Sequence, residues 1–248
     1  MHNLGHTRSA NQRDHLLHTP DTFVRTLLPG MQRGMAIVHV SPAAGAAFTQ
    51  YTAELESAGT LGPLLPNAPG QRFVYVLSGG ADLSTDSSFQ SLSAGGYAYI
   101  PAGLAHAVTA QQSTRLAVIE KIYQPLDGVS CPPLLTGRES DVPSTPLMDD
   151  PDLQVRALLP GEPGFDFAVN TMTYQPGAAL SMVEVHVMEH GLLMLEGGGI
   201  YRLGDGWYPV TAGDFIWMAP FCPQWFGALG KQPAKYLIYK DWNRHPLG

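Results

Sequence analysis

What the chain has little of narrows it first. Only two cysteines, Cys131 and Cys222, occur in 248 residues. Two thiols without a spacing motif supply no disulfide framework, so a reducing, cytoplasmic compartment is expected. Charged residues make up 14% of the chain, and the net charge of -7 is offset by no concentrated basic stretch. Nucleic acid is thereby excluded as a partner class. No apolar run approaches the roughly 18 residues of a membrane span, so no membrane partner is expected. The stretch from Met1 to Pro20 lacks the apolar centre of a secretory signal and reads as a partly mobile arm.

Turn formers, by contrast, are abundant. Gly 27 and Pro 21 punctuate short apolar runs, helical periodicity is scarce, and a hydrophobic content of 44% is enough for a sizeable core. The expected class is all-β. The phrase Val24-Arg25-Thr26-Leu27-Leu28-Pro29-Gly30 returns as Val155-Arg156-Ala157-Leu158-Leu159-Pro160-Gly161, and Phe73 to Gly80 returns as Gly191 to Gly198. Each copy continues into strand-like stretches, Met35 to Val40 in the first and Phe165 to Thr173 in the second. The spacing falls from 131 positions (Val24 to Val155) to 118 (Gly95 to Gly213), which places extra residues in the loop Ser57 to Gly70. Two equivalent antiparallel sandwiches or barrels follow, with an arm over 1–21, a first domain over 22–126, a Pro- and Asp-rich linker over 127–152 and a second domain over 153–248.

The sharpest chemical pattern is Glu184-Val185-His186-Val187-Met188-Glu189-His190, with Gln224 downstream. On a strand, residues i and i+2 share a face, so Glu184 and His186 project together. His190, four further on, joins them if the strand stays regular or the chain hairpins after Met188. A hard carboxylate and two imidazoles suit a borderline divalent ion, and the amide oxygen of Gln224 completes the set. With no thiolate in the pattern, a closed zinc–thiolate site is not expected. The competing reading is a buried ion-pair cluster, and isolated histidines such as His15, His18 and His245 read as ordinary solvated or satisfied side chains. An unpaired carboxylate inside the apolar run from Met182 to Leu195 costs several kcal/mol, which favours the metal. Cys222, with no activating histidine in a motif beside it, reads as a small core residue.

These residues resemble the bicupins, whose two motifs are Gly-x5-His-x-His-x3,4-Glu-x6-Gly and Gly-x5-Pro-x-Gly-x2-His. In the second half, Glu184, His186 and His190 stand at the places of His, His and Glu. Gly197 follows at the required distance, and Gln224 takes the place of the second-motif histidine. Pro220 is displaced by one position, and Cys222 stands in the glycine region. In the first half, Gly95, Pro101, Gly103 and His106 fit the second motif, but Arg72 stands in the Glu place, with Pro66 and Ala68 near the histidine places. One imidazole holds no ion by itself, so the first barrel is expected to be structural or interface-forming, with His106 a relic or a hydrogen-bonding residue. The fold this resemblance implies is two tandem cupin barrels, the double-stranded β-helix or jelly roll.

The order Glu-x-His-x3-His with a distant Gln resembles more narrowly the (S)-ureidoglycine aminohydrolases, manganese bicupins of purine-ureide breakdown. Gly199 to Leu203, Tyr236 to Asp241 and the repeated Leu-Leu-Pro-Gly support the likeness. It implies Mn2+ on Glu184, His186, His190 and Gln224, and a small anionic substrate, (S)-ureidoglycine, hydrolysed to (S)-ureidoglycolate and ammonia. It also implies that Glu184 and Lys240 are catalytic, that Tyr201, Gln224, Tyr236 and Lys240 line the substrate, and that copies associate as a homo-oligomer. Core packing is the alternative role for the tyrosines, and a surface-facing strand position the alternative for Lys240. A cupin dioxygenase or isomerase on a small acid, and a non-catalytic effector-binding bicupin, are the rival functions.

Overall fold

The computed structural model describes residues 6–63 and 70–245. Its regular elements there are antiparallel strands and three single-turn 3₁₀ helices, which meets the all-β expectation. The chain divides into two compact units. One comprises Val24–Val142 with Glu162–Phe165; the other comprises the residues up to Phe23, Pro143–Gly161 and those from Asp166 onward.

In the first unit the strands follow the order Leu135–Arg138, Gly96–Ile100, Gly70–Ser78, Thr114–Ile122, Thr49–Thr60, His106–Ala110, Gly80–Thr85 and Phe89–Ser93. The β-branched and aromatic run Phe73-Val74-Tyr75-Val76 suits a pleated strand buried on both faces. The twelve-residue Thr49–Thr60 strand pairs along Thr114–Ile122, and its last residue, Thr60, pairs with Thr109. It thus carries the chain from one layer of the barrel to the other around a core that includes Tyr51, Val76, Leu83, Leu116 and Val118. The loop read over Ser57 to Gly70 is still strand as far as Thr60; Pro66 and Ala68 lie outside the described residues.

The second unit is an eight-stranded sheet facing a three-stranded one. The larger sheet has the order Ala10–Asn11, His15–His18, Phe215–Met218, His190–Glu196, Ala234–Lys240, Ala168–Tyr174, Asp150–Ala157 and Thr145–Leu147. The smaller has Gly198–Leu203 between Gly206–Thr211 and Gln224–Ala228. Their facing side chains, among them Leu17, Tyr174, Leu192, Tyr201, Phe226 and Tyr236, make one core.

Two expectations are corrected here. The N-terminal stretch, read as a mobile arm, supplies two strands to the second unit: His15–His18 pairs with Phe215–Met218, and Leu17 is fully buried. Its polar composition hid a four-residue alternation in which one leucine faces the core. Arg8 adds a bidentate pair to the buried Asp214, at 2.6 and 2.9 Å. The proline-rich stretch read as a linker is also paired. Leu135–Arg138 joins Gly96–Ile100 in the first unit, and Thr145–Leu147 forms a hairpin with Asp150–Ala157 in the second.

Candidate functional site

Alternation along Ala234–Lys240 puts Tyr236, Ile238 and Lys240 on one face of the strand. Register sets His190 beside Lys240 on one side and Ala168 beside it on the other. These side chains open into a cavity of about 590 Å³ that Glu184, His186, Tyr201 and Gln224 also line. All seven residues expected from the sequence are therefore brought together in the second unit.

The route to that convergence is not the one the spacing suggests. Residues 184–189 do not run as a strand, which begins only at His190. Glu184 is fixed by a single bridge to Gln224: its N–H donates to the Gln224 carbonyl at 2.8 Å, and the Gln224 N–H returns the bond at 2.9 Å. The His186 carbonyl accepts from the Phe221 N–H at 2.7 Å. Backbone pairing with the 221–224 segment aims Glu184 and His186, rather than strand parity.

The donor chemistry fits a divalent ion. His190 Nδ1 lies 2.7 Å from the Glu189 carbonyl, which can only accept, so Nδ1 carries the proton and Nε2 presents its lone pair. Burial, helped by the neighbouring Lys240 and His186 charges, pushes the His190 pKa well below its usual value, so the ring stays neutral as a ligand must. Glu184 Oε2 and His186 Nε2 stand 3.1 Å apart. Two adjacent ligands of one ion, each bonded at about 2.1 Å, sit about 3 Å from each other. The His186 and His190 rings are 5.2 Å apart between centroids. Carboxylate, amide oxygen and two imidazoles, without a thiolate, make an oxygen–nitrogen set of the kind that holds manganese or iron as readily as zinc.

The substrate-side groups are equally defined. Burial raises the Tyr201 and Tyr236 pKa values well above the usual phenol range, so both remain hydroxyl donors at neutral pH. Tyr201 Oη points toward Gln224 Oε1 at 3.5 Å, and Tyr236 Oη is 2.8 Å from that of Tyr174. Both tyrosines also belong to the core, so packing and a polar role coincide in them. Lys240 has no hydrogen-bond or ion-pair partner among the described residues, and burial lowers its pKa against the opposing pull of Glu184.

A second group of ligand-type side chains in this unit is Asp14, His15 and Cys222, whose ligand atoms lie within 4.8 Å of one another. Both His15 nitrogens are engaged, at 2.9 Å from Asp14 Oδ1 and 2.9 Å from the Tyr208 hydroxyl. Burial pushes the Cys222 thiol up to about 11. His15 is a satisfied side chain and Cys222 a core residue, and the group clips the N-terminal strand to the barrel.

In the first unit the same positions hold a different answer. Arg72 opposes Glu120 in register as His190 opposes Lys240 in the second unit. The Arg72 guanidinium donates to Glu120 Oε1 at 2.9 Å, to His106 Nε2 at 2.8 Å and to the Gly62 carbonyl at 2.8 Å. His106 Nδ1 donates to the Leu104 carbonyl at 2.8 Å, so its bare Nε2 accepts from a guanidinium where His190 offers a lone pair to the cavity. His106 is thus a hydrogen-bonding residue beside a built-in cation.

Burial first, with a smaller push from Arg72, lowers the His106 pKa below its usual 6.5. A depressed histidine contributes stability that is full above the unfolded value, near pH 6.5, and is lost as pH falls through the folded one. Urea unfolding followed across that window is expected to show a shallower acid-side loss in His106→Gln than in the parent chain. Equal slopes would remove His106 from the account.

A family model described as Cupin domain matches residues 170–239. The (S)-ureidoglycine aminohydrolase of Arabidopsis thaliana is 43% identical over 98% of this chain and 80% of the relative. The chain belongs to the (S)-ureidoglycine aminohydrolase family. The aminohydrolase of that name from Escherichia coli (strain K12) is 32% identical over 92% of the chain and 88% of its own length. A crystal structure of the protein Ylba from E. coli superposes with a TM-score of 0.86 at 29% identity, covering 98% of this chain and 97% of that one. The span matched to the cupin model includes His186, His190, Tyr201, Gln224 and Tyr236 and stops one residue short of Lys240, so that lysine lies just outside the matched part of the barrel. Two polar residues at or behind the cavity carry no signal in the sequence patterns above. Asn170 lines it, and Tyr174, in the core, is bonded to the lining Tyr236.

Proposed function

We propose that the chain is a metal-dependent hydrolase of ureide catabolism that converts (S)-ureidoglycine and water to (S)-ureidoglycolate and ammonia. The observation that carries this reading is Lys240: a half-buried cation without a hydrogen-bond or ion-pair partner among the described residues, facing the cavity that also holds Glu184, His186, His190 and Gln224. Such a cation suits the carboxylate of a small anionic substrate. A divalent ion held by those four residues, for which we propose Mn2+, supplies Lewis-acid polarisation and a fixed anchor when bound.

The residues divide the remaining work. In the aminal, the bond from carbon two to the amine breaks once that amine has taken a proton, and ammonia leaves as the ureido nitrogen supplies an electron pair to form C=N. Water then adds its oxygen to that carbon and releases a proton, which closes the balance. We assign the acid to Lys240, whose lowered pKa makes its ammonium the readier donor, and the base to Glu184. Tyr201 and Tyr236 donate hydrogen bonds from the wall, and the apolar side chains Met172, Leu180 and Ile238 exclude bulk water from the floor.

The test is ammonia release from (S)-ureidoglycine generated in situ, with chiral analysis of the product. Metal-dependent formation of the single (S) enantiomer is expected; a racemic product at the spontaneous rate would reject the substrate. Among the described residues no helix is long and apolar enough to cross a membrane. We propose a cytoplasmic location, because two cysteines without a spacing motif suit a reducing compartment. We also propose a homo-oligomer, associated through exposed apolar side chains of the first unit such as Val24 and Leu27. Sedimentation at the monomer mass would overturn that part.

A further inference from the structure

The pocket contains one polar side chain that neither the ligand set nor the proton-transfer scheme uses. Asn170 lies on the Ala168–Tyr174 strand, half-buried, with Ala157 and Ile238 as its cross-strand partners. Alternation along the strand turns it into the same cavity as Ala168 and Met172. Its carboxamide makes no hydrogen bond to any described residue. A half-buried amide in an otherwise apolar wall forfeits hydrogen bonds unless water or a ligand supplies them.

We infer that Asn170 is the specificity residue that reads the ureido group. This rests on the proposed function and names the group by which that site recognises its substrate. A carboxamide carries one acceptor oxygen and two N–H donors, and a terminal ureido group carries the same set. Placed edge to edge, Asn170 Nδ2 donates to the ureido carbonyl while a ureido N–H donates to Asn170 Oδ1, giving a neutral two-bond pair. A lysine would satisfy only the carbonyl, and a carboxylate only the N–H groups.

Position supports the pairing. Lys240 is opposite Ala168, two residues before Asn170, on the neighbouring strand. Same-face diagonal neighbours of this kind stand about 7–8 Å apart. A ureido acid is long enough to span such a gap, with its carboxylate toward Lys240 and its urea end toward Asn170. The reacting carbon then lies between them, in the cavity that Glu184 and His186 also line. Asn170 therefore sets which end of the substrate faces the ligand cluster.

The experiment is isothermal titration of the metal-loaded protein with (S)-ureidoglycolate and, separately, with glycolate, which lacks the ureido group. Parent, Asn170→Ala and Asn170→Asp proteins are compared, with circular dichroism to verify folding. Loss of both hydrogen bonds is expected to weaken (S)-ureidoglycolate binding about tenfold or more in Asn170→Ala while leaving glycolate binding to that variant unchanged, and Asn170→Asp, which loses only the donor to the ureido carbonyl, is expected to weaken it less. KM for (S)-ureidoglycine should rise more than kcat falls. Unchanged ureidoglycolate binding in the variants, or an equal loss for both ligands, overturns the assignment of Asn170 and leaves the enzyme's function standing. A parent protein that binds glycolate as well as (S)-ureidoglycolate overturns ureide recognition itself, and Asn170 with it.

Discussion

His186→Ala is expected to lose its metal and its turnover together. Removing one imidazole from the four-donor set leaves Glu184 without the neighbour 3.1 Å away, and it leaves three protein donors, of which Gln224 is a neutral amide. Lewis-acid stabilisation is worth several kcal/mol, so kcat/KM should fall on the order of a thousandfold or more. Metal content after dialysis, measured by emission spectroscopy, should drop from one ion per chain toward zero. Glu184→Gln keeps the shape and the bridge to Gln224, both of which are made by the backbone, but removes the negative charge. It is expected to retain the fold, bind the ion more weakly and lose the base. A His186→Ala protein that is metal-free and fully active would end the metal reading.

Arg72→Met is expected to have the largest effect on stability. It strips Glu120 Oε1 of its guanidinium and leaves the Gly62 carbonyl and His106 Nε2 without donors; only the Tyr51 hydroxyl, at 2.8 Å, stays on the carboxylate. Breaking a buried pair by removing one partner costs about 3–5 kcal/mol, and Glu120 at 24% side-chain exposure sets the lower end of that range. The double variant Arg72→Met/Glu120→Leu is expected to recover most of the loss, because no uncompensated charge remains. Urea denaturation measures both, and a single variant within about 1 kcal/mol of the parent would show that the pair contributes little. Metal content is expected to be unchanged in either variant, since Arg72 and its partners all belong to the first unit.

Much of this was legible in the amino-acid sequence, for identifiable reasons. Strand alternation in Phe73 to Ser78 and Ala234 to Lys240 is a local property, and so is the repeated Leu-Leu-Pro-Gly. The convergence of Glu184, His186 and His190 on one cavity was foreseeable, because an acid and two imidazoles in an apolar run need a compensating charge. What aims them was not, since the bridge from Glu184 to Gln224 joins segments 40 positions apart and replaces the strand that spacing alone suggests. Asn170 was missed because one asparagine among seven strand residues carries no motif. Its parity with Met172 and Tyr174, both interior, was the available signal. The N-terminal strands were hidden by composition: in His15 to His18 the buried positions are a histidine and one leucine, and the partner strand lies some 200 residues away.

The ends of the eight-stranded sheet govern how this protein behaves in a crowded solution. One end is the two-residue strand Ala10–Asn11, and the other is Thr145–Leu147, which carries Pro146. Very short strands and proline offer a neighbouring molecule almost no row of free N–H and C=O groups to copy. The strand behind the first of them is different: Phe215-Ile216-Trp217-Met218 is four residues of continuous apolar sequence, all buried, with its outer backbone edge occupied by His15–His18. Trimming the polar leader to tidy an expression clone would uncover that edge and turn it into a seed for chain-to-chain β-pairing. The segment that looked most dispensable covers the sheet edge best suited to pairing with another molecule.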